Sequence, residues 1–337
     1  MNRTLKIVLK ISLISLLILS GISCSTGSRE ENRGSGKKTA SDYMSDDSLM
    51  TLIQYRTFQY FGDGAEPTSG MARERYHVDG IYPDNDMNVV TSGGTGFGVM
   101  GILVGIERGF ITRDEGLEHL RKIVGFLQKA DRFHGAWSHW IYGETGKVKP
   151  FSQKDNGAEE YGGPLFWAHY SYLGLDPRNL KDQYADYWLQ NTNHALINWK
   201  WCSENPKNYA GYSSSCWGLT ASYSVNFYAA HAPGEKNDLG VISPTAALSS
   251  MPYTPDQSLD AMRHFYYNLG DKIWGKYGFY DAFSEQHNWY PQKYLAIDQG
   301  PVVVMIENYR TGLLWDLFMS CPEIENGLTN LGFSYKK

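Results

Sequence analysis

Beyond residue 47 the chain alternates apolar stretches of helical spacing with loops rich in Gly, Pro and aromatic residues. Leu49, Leu52, Ile53, Phe58 and Phe61 recur as an amphipathic helix over residues 48–61, with Asp46 and Asp47 as its cap. Residues 62–94 read as a loop, and residues 95–108, apolar nearly all round, predict a buried helix closed by Gly109. Thr112-Arg-Asp-Glu115 has capping-box spacing, and the helix it opens would bury Leu117, Leu120, Val124 and Leu127 on one face. The period changes at residues 135–150, where Trp137-Ser-His-Trp-Ile141 alternates ahead of the turn residues Glu144-Thr-Gly146, so a short β-hairpin is expected. Helical spacing returns over residues 164–173 and, as one long helix, over 178–202, which Pro206 stops. After a loop over 208–244, helices are expected at 245–250, 255–269 with Thr254 as cap, 301–319 and 323–331. Helix pairs joined alternately by short turns and long loops predict an all-α, toroid-like domain of about eight helices with one small β-hairpin, its site on one rim of loops, with an irregular all-α bundle carrying the same hairpin as the alternative.

The first residues follow a different logic. Arg3, Lys6 and Lys10 precede the apolar run 11–19 and the small residues Ser20, Gly21 and Ser23, which reads as a signal peptide over residues 1–23. That run is shorter than the ~20 residues a bilayer span needs, and Cys24 stands where the processed chain would begin. Cys24 is therefore the expected lipid anchor, with plain secretion as the alternative, because Gly21 and Ile22 depart from the usual lipobox. Residues 24–47 carry almost nothing to bury and read as the lipidated Cys and a flexible tether. Residues 48–337 then form one domain, exported and membrane-anchored in the periplasm or at the outer membrane.

Charge and composition narrow the chemistry. A net charge of −5 with dispersed Lys and Arg excludes a nucleic-acid partner, which needs a clustered basic face. The chain has 24 Tyr and 10 Trp, whose flat apolar faces and polar edges suit stacking on sugar rings, so an oligo- or polysaccharide is the expected partner. Cys202, Cys216 and Cys321 read as buried thiols; no spacing suits a metal, and no cofactor is called for. The run Thr91-Ser-Gly-Gly-Thr-Gly-Phe-Gly98 lacks a preceding strand and a Lys, so its glycines are expected to let a helix approach its neighbours instead of holding phosphate.

Several segments together carry a family resemblance. Gly70-Met-Ala-Arg-Glu-Arg75, Gly93-Gly-Thr-Gly-Phe-Gly98, Lys154-Asp-Asn-Gly157 and Gly162-Gly-Pro-Leu-Phe-Trp-Ala-His-Tyr170 occur in this order. Cys216-Trp-Gly-Leu-Thr-Ala221, Tyr277-Gly-Phe-Tyr-Asp-Ala-Phe283, Ala296-Ile-Asp-Gln-Gly-Pro301 and Ile306-Glu-Asn-Tyr-Arg-Thr-Gly312 follow. The mature domain resembles the glucoamylase-like glycoside hydrolase lipoproteins of Bacteroidetes, which include endo-β-1,2-glucanases with an (α/α)6 toroid. The resemblance implies hydrolysis of a neutral β-glucan, most of all a β-1,2-glucan. It also implies a central deletion, because the family pattern inserts a long helical stretch where Gly157-Ala-Glu-Glu-Tyr161 here runs straight into Gly162. A ring short of helices leaves neighbouring faces uncovered, so self-association over the gap is expected.

Glycoside hydrolysis needs a protonated acid and a second carboxylate. Asp155, in a polar Gly-flanked loop, and Asp298, ahead of the apolar run 302–306, are the first candidates; the helix N-terminus is expected to keep Asp298 ionised. Glu307 is the third, with Arg310 as a structural partner or sugar contact. Glu66, Arg73, Trp137, Trp140, Trp167, Tyr170, Trp217, His231, Tyr309 and Arg310 are the candidate sugar-binding residues. The alternative is a non-catalytic glycan-binding lipoprotein or a defective paralogue.

Overall fold

The computed structural model describes residues 43–133, 136–149 and 160–335; Cys24, most of the tether and Asp155 lie outside them. The described residues hold ten α-helices and five two-stranded sheets, two helices more than the sequence count. Helix α1 (Asp46–Phe61) starts two residues earlier than expected, capped by Ser45 instead of the acids: Ser45 Oγ accepts from the Ser48 N–H at 3.2 Å. Asp46 and Asp47 instead pair with Arg263 and Arg310.

Strands β1 (Arg75–His77) and β2 (Val89–Thr91) lead to α2 (Ser92–Glu107), so the glycine run does follow a short strand. Its glycines serve close approach. A Cβ at Gly98 would lie 2.7 Å from Phe61 Cδ1, and one at Gly105 would lie 2.8 Å from Phe58 Cε2. The capping box of α3 (Arg113–Leu127) forms as expected, but its buried face is Gly116 and Ile123, while Leu117 and Val124 are exposed. Gly116 sets that rotation, because it seats against Ile106 and Ile102 of α2, where a Cβ would be 2.6 Å from Ile106 Cδ1.

Strands β3 (Arg132–Phe133) and β4 (Ala136–Trp137) pair with each other. β5 (Trp140–Tyr142) folds back on Val148 through the expected turn, and its other edge pairs with β2. Helix α4 (Phe166–His169) is short. Helix α5 (Tyr187–Glu204) starts nearer the middle of its expected span, where Asp186 accepts from the Leu189 N–H; it ends at Asn205 in the left-handed conformation.

A hairpin of β6 (Ala221–Tyr223) and β7 (Tyr228–Ala230) precedes α6 (Pro244–Ser249) and α7 (Pro255–Ile273). Strands β8 (Trp274–Gly275) and β9 (Gly278–Phe279) pair, and β10 (Lys293–Leu295) pairs antiparallel with β1 and runs straight into α8 (Ala296–Arg310). Pro301 lies inside α8 instead of opening it, and Gly312, at φ 77°, separates α8 from α9 (Leu313–Met319), so the expected helix over 301–319 is two. Helix α10 (Pro322–Asn330) ends the described fold. Helix α8 is the axis of the core: α1, α2 and α6 pack around it, and Val302, Val303, Val304, Met305 and Ile306 are buried. Burying each such side chain contributes about 1.5–3 kcal/mol. Cys202 and Cys216 are buried free thiols, whereas Cys321 is exposed, because it sits at the N-terminus of the surface helix α10.

Candidate active site

The step from β10 into α8 places Asp298 in that helix's first turn, and the loop after β9 brings Asp281 to meet it. Both carboxyls are buried. Asp281 Oδ2 accepts from the Tyr223 N–H at 2.8 Å, and Asp298 Oδ1 accepts from Tyr170 Oη at 3.1 Å. The remaining oxygens, Asp281 Oδ1 and Asp298 Oδ2, receive no N–H or O–H donor from any other described residue, and the two side chains hydrogen-bond to each other. Two carboxylates in such contact cannot both be ionised, so the pair shares a proton. The gap bounded by His169, Tyr170, Thr245 and Asp298 has no room for a water molecule that could take its place.

Burial and then the neighbouring Asp281 hold Asp298 well above the ordinary carboxyl range, and burial pushes Asp281 up to about 6. This corrects the expectation that Asp298 stays ionised. A helix N-terminus offers about 0.3–1 kcal/mol to an anion. Desolvation of a buried carboxyl reaches several pKa units, each about 1.4 kcal/mol, and wins.

Other groups crowd this pair. Glu74, ion-paired with Arg75, lies near enough for its charge to raise both aspartates. Arg75 and Lys149 flank the Trp140 ring at 6.0 and 5.7 Å from its centroid, and Lys149 is ion-paired with Asp86. The Tyr228 side chain is half exposed, and burial and then the charges of Asp298 and Asp281 raise its hydroxyl well above the usual value. Tyr223 Oη and His77 Nε2 are 2.6 Å apart.

Of the residues singled out in the sequence, Asp298 and Tyr170 come together here, and Trp140 stands beside Arg75, the partner of Glu74. Glu307 does not join them. It lies nine residues further along α8, about 13 Å by helical rise, and is closed in by Arg108 at 2.6 and 2.9 Å, Gln54 at 3.1 Å and Thr311 at 2.8 Å. Those bonds hold it below the ordinary carboxyl range even though burial alone would raise it. The expected Glu307–Arg310 pair is absent; Arg310 serves Asp47, Thr51 and Gln54, and Tyr309 is an exposed residue at the same far end.

Glu66 is used by its own turn, accepting from Ser69 N and Oγ, each at 2.7 Å, and from Thr68 N at 3.0 Å. Arg73 is spent on the Met87 carbonyl and Asn88. Trp217 is core, its Nε1 donating to the Gln257 carbonyl, and His231 is fully enclosed, with burial pushing it down to about 4. Trp137 sits under Arg132 with Nε1 on the Leu127 carbonyl, and Trp167 lines a groove along α5.

The residue that sequence reading missed is Asp281. Its signal was present: a single acid inside Tyr277-Gly-Phe-Tyr-Asp-Ala-Phe283 is enclosed among aromatics and needs a partner.

The glycoamylase family model, which describes glucoamylases, matches residues 133–322, more than half of the chain. The chain belongs to the glycoamylase family. A curated exo-β-1,2-glucooligosaccharide sophorohydrolase (non-reducing end) of Parabacteroides distasonis is 34% identical over 440 aligned residues, covering 89% of this glycoamylase and 60% of its own length. The aligned stretch is longer than the whole 337-residue glycoamylase, so the relative carries residues between matched segments that this chain lacks. The endo-β-1,2-glucanase of Chitinophaga pinensis, solved with sophorotriose and glucose, is 52% identical with a TM-score of 0.85, covering 87% of this glycoamylase and 99% of that chain. The β-1,2-glucanase of Parabacteroides distasonis is 33% identical with a TM-score of 0.79, covering 86% and 60%. The helices of this chain are accordingly those of the α/α toroid that the sequence led us to expect.

Proposed function

We propose that this glycoamylase is an exported hydrolase of a neutral β-glucan, with β-1,2-glucan as its substrate. The observation that carries the proposal is the Asp281–Asp298 pair: a carboxyl kept protonated by burial and a neighbouring carboxylate is what a general acid needs at neutral pH. The named activities of the relatives, sophorohydrolase and β-1,2-glucanase, support the linkage. The shared proton passes to the glycosidic oxygen as the C–O bond to the leaving sugar breaks; the pair cannot keep two charges, so it regains a proton as water adds to the anomeric carbon, and the Tyr170 hydroxyl and the Tyr223 N–H stabilise the transient charge.

Two carboxyls in hydrogen-bond contact are too close to flank a glycosidic bond, which requires about 5–9.5 Å. The pair therefore fills one of the two roles. The attacking or water-activating carboxylate is assigned to Asp155 or to Glu74, beside the pair, and Asp155→Asn and Glu74→Gln separate the two. Release of reducing ends from β-1,2-glucan by wild type and its loss in Asp298→Asn test the proposal. Retention on the glucan with no release would instead make the protein a glycan-binding lipoprotein.

The proposal includes anchoring through Cys24, supported by the preceding apolar run and small residues. Cys24→Ala should move the protein from the membrane to the soluble fraction; a wild type that is already wholly soluble would refute the anchor.

A further inference from the structure

The β6–β7 hairpin carries a feature that neither its stability nor the acid pair explains. Tyr223 and Tyr228 are its closing cross-strand pair, and Ser224, Val225, Asn226 and Phe227 form the tip, closed by the Ser224 N–H on the Phe227 carbonyl at 2.9 Å. Phe227 is held at φ 72°, the left-handed region that a bulky side chain avoids, and its ring is 90% exposed. Val225 beside it is also exposed. A phenyl ring in that position gains no burial and costs backbone strain, and strain of this kind marks a site that uses the side chain.

The base of the same hairpin is built into the acid pair. The Tyr223 N–H is the donor to Asp281, Tyr223 pairs across the hairpin with Tyr228, and Phe227 is the residue next to Tyr228. At about 3.3 Å per residue the tip therefore stands within one or two sugar units of the proton that is donated. The tip is uncharged, and its groups are an aromatic face, an aliphatic side chain and the Asn226 amide. An aromatic face suits the C–H face of a pyranose, an amide suits its hydroxyls, and nothing at the tip selects for charge.

We propose that Val225, Asn226 and Phe227 form a sugar-stacking subsite that holds the glucan chain beside the acid pair, with Phe227 as the platform. The proposal rests on the hydrolase reading above, and the experiment keeps the two separable. Phe227→Ala, Phe227→Gly and Phe227→Trp would be compared with wild type for kcat and KM on long β-1,2-glucan, for migration through gels containing that glucan, and for thermal melting.

Phe227→Ala should raise KM roughly five- to tenfold with kcat within about twofold, and Phe227→Trp should stay near wild type. Phe227→Gly should bind as weakly as Phe227→Ala yet melt higher than wild type, because glycine accepts a positive φ without strain. That combination of higher melting and weaker binding is one a merely structural Phe227 would not give. If wild type releases no reducing ends but is retarded by glucan, and Phe227→Ala is not, the hydrolase reading fails and the subsite stands. If wild type hydrolyses glucan and Phe227→Ala matches it in KM and migration, the subsite is overturned. A change confined to sedimentation would assign the tip to contact between copies and would overturn it equally.

Discussion

Helices α8 and α5 show how differently the two flanks of this domain are finished. Helix α8 is enclosed on all sides over most of its length, and its one deeply buried charge, Glu307, has four hydrogen bonds from three residues. Helix α5 is turned the other way: its buried positions are Asn191, Ala195, Asn198 and Cys202, while Leu189 and Ile197 are 56% and 40% exposed. A groove of about 550 Å³ runs along that open face, lined by Trp167, Leu189, His194 and Ile197, and it begins at Gly162, where the family pattern is cut short. Apolar residues outward and amides inward leave this helix face without an apolar neighbour among the described residues. The lesson is that the half that builds the acid pair folds around its own core, and the cost of the shorter chain falls on the other half. The self-association over the gap that the sequence leads one to expect would place a second copy against the α5 face.

The largest effect should fall on the finished side. Asp298→Asn should lower turnover of β-1,2-glucan about a hundredfold or more, the scale of acid assistance, while leaving sedimentation unchanged. A variant with normal turnover would remove the acid pair from the chemistry. Next in size, Glu307→Ala should cost about 3–5 kcal/mol by leaving Arg108 partly buried without its partner, read as a drop in the denaturation midpoint. An unchanged midpoint would show that α8 is not the axis of the core.

The two kinds of buried carboxyl should respond to pH with opposite sign. Asp281 binds its proton more tightly folded than unfolded, so its contribution to stability is complete below about pH 4 and is lost as pH rises through about 6. Glu307 binds its proton less tightly folded, so its contribution is present above about pH 4.5 and is lost as pH falls through its lowered value. Melting curves from pH 3 to 8 should show Asp281→Asn reducing the decline between pH 4 and 6, by at most about 3 kcal/mol, with the part that remains belonging to buried Asp298. A wild-type profile that rises steadily over that interval and is unaffected by Asp281→Asn would contradict a shared proton.

The smallest effect on stability, though not on assembly, belongs to α5. Leu189→Lys with Ile197→Lys should make the protein monomeric while altering monomer stability by about 0.5 kcal/mol or less, since both side chains already face outward. Sedimentation decides this: a wild type that is already monomeric at micromolar concentration leaves the α5 face uncovered and refutes the pairing.

What could be read from the sequence follows the range of the forces involved. The capping box at Thr112 and Glu115, the stop after α5 and the close-approach glycines of α2 depend on neighbours within a few residues, and the residue pattern shows them directly. Asp298 was legible as an acid at the mouth of a buried helix. For Asp281 the sequence showed an acid enclosed among aromatics and in need of a partner, but not which partner, because a proton shared between residues 17 apart leaves no periodic trace. The same holds for Glu307, whose partner Arg108 lies 199 residues away, while the nearer Arg310 offered a plausible local pairing that the fold does not use. On α3 the periodicity was right and the phase wrong, because a glycine set the contact where side-chain hydrophobicity pointed to leucines.

One bond pair on the open flank reaches further than its size suggests. Asn198 of α5 presents its amide to Leu219 as a neighbouring strand would, donating to the Leu219 carbonyl at 3.1 Å and accepting from its N–H at 3.0 Å. Leu219 stands two residues before β6, the strand that delivers Tyr223 to Asp281 and carries the Phe227 tip. Asn198 thus acts as a splint between the outward-facing α5 flank and the strand that holds Asp281 in place. Whatever comes to rest against α5 bears on that strand by the same handle.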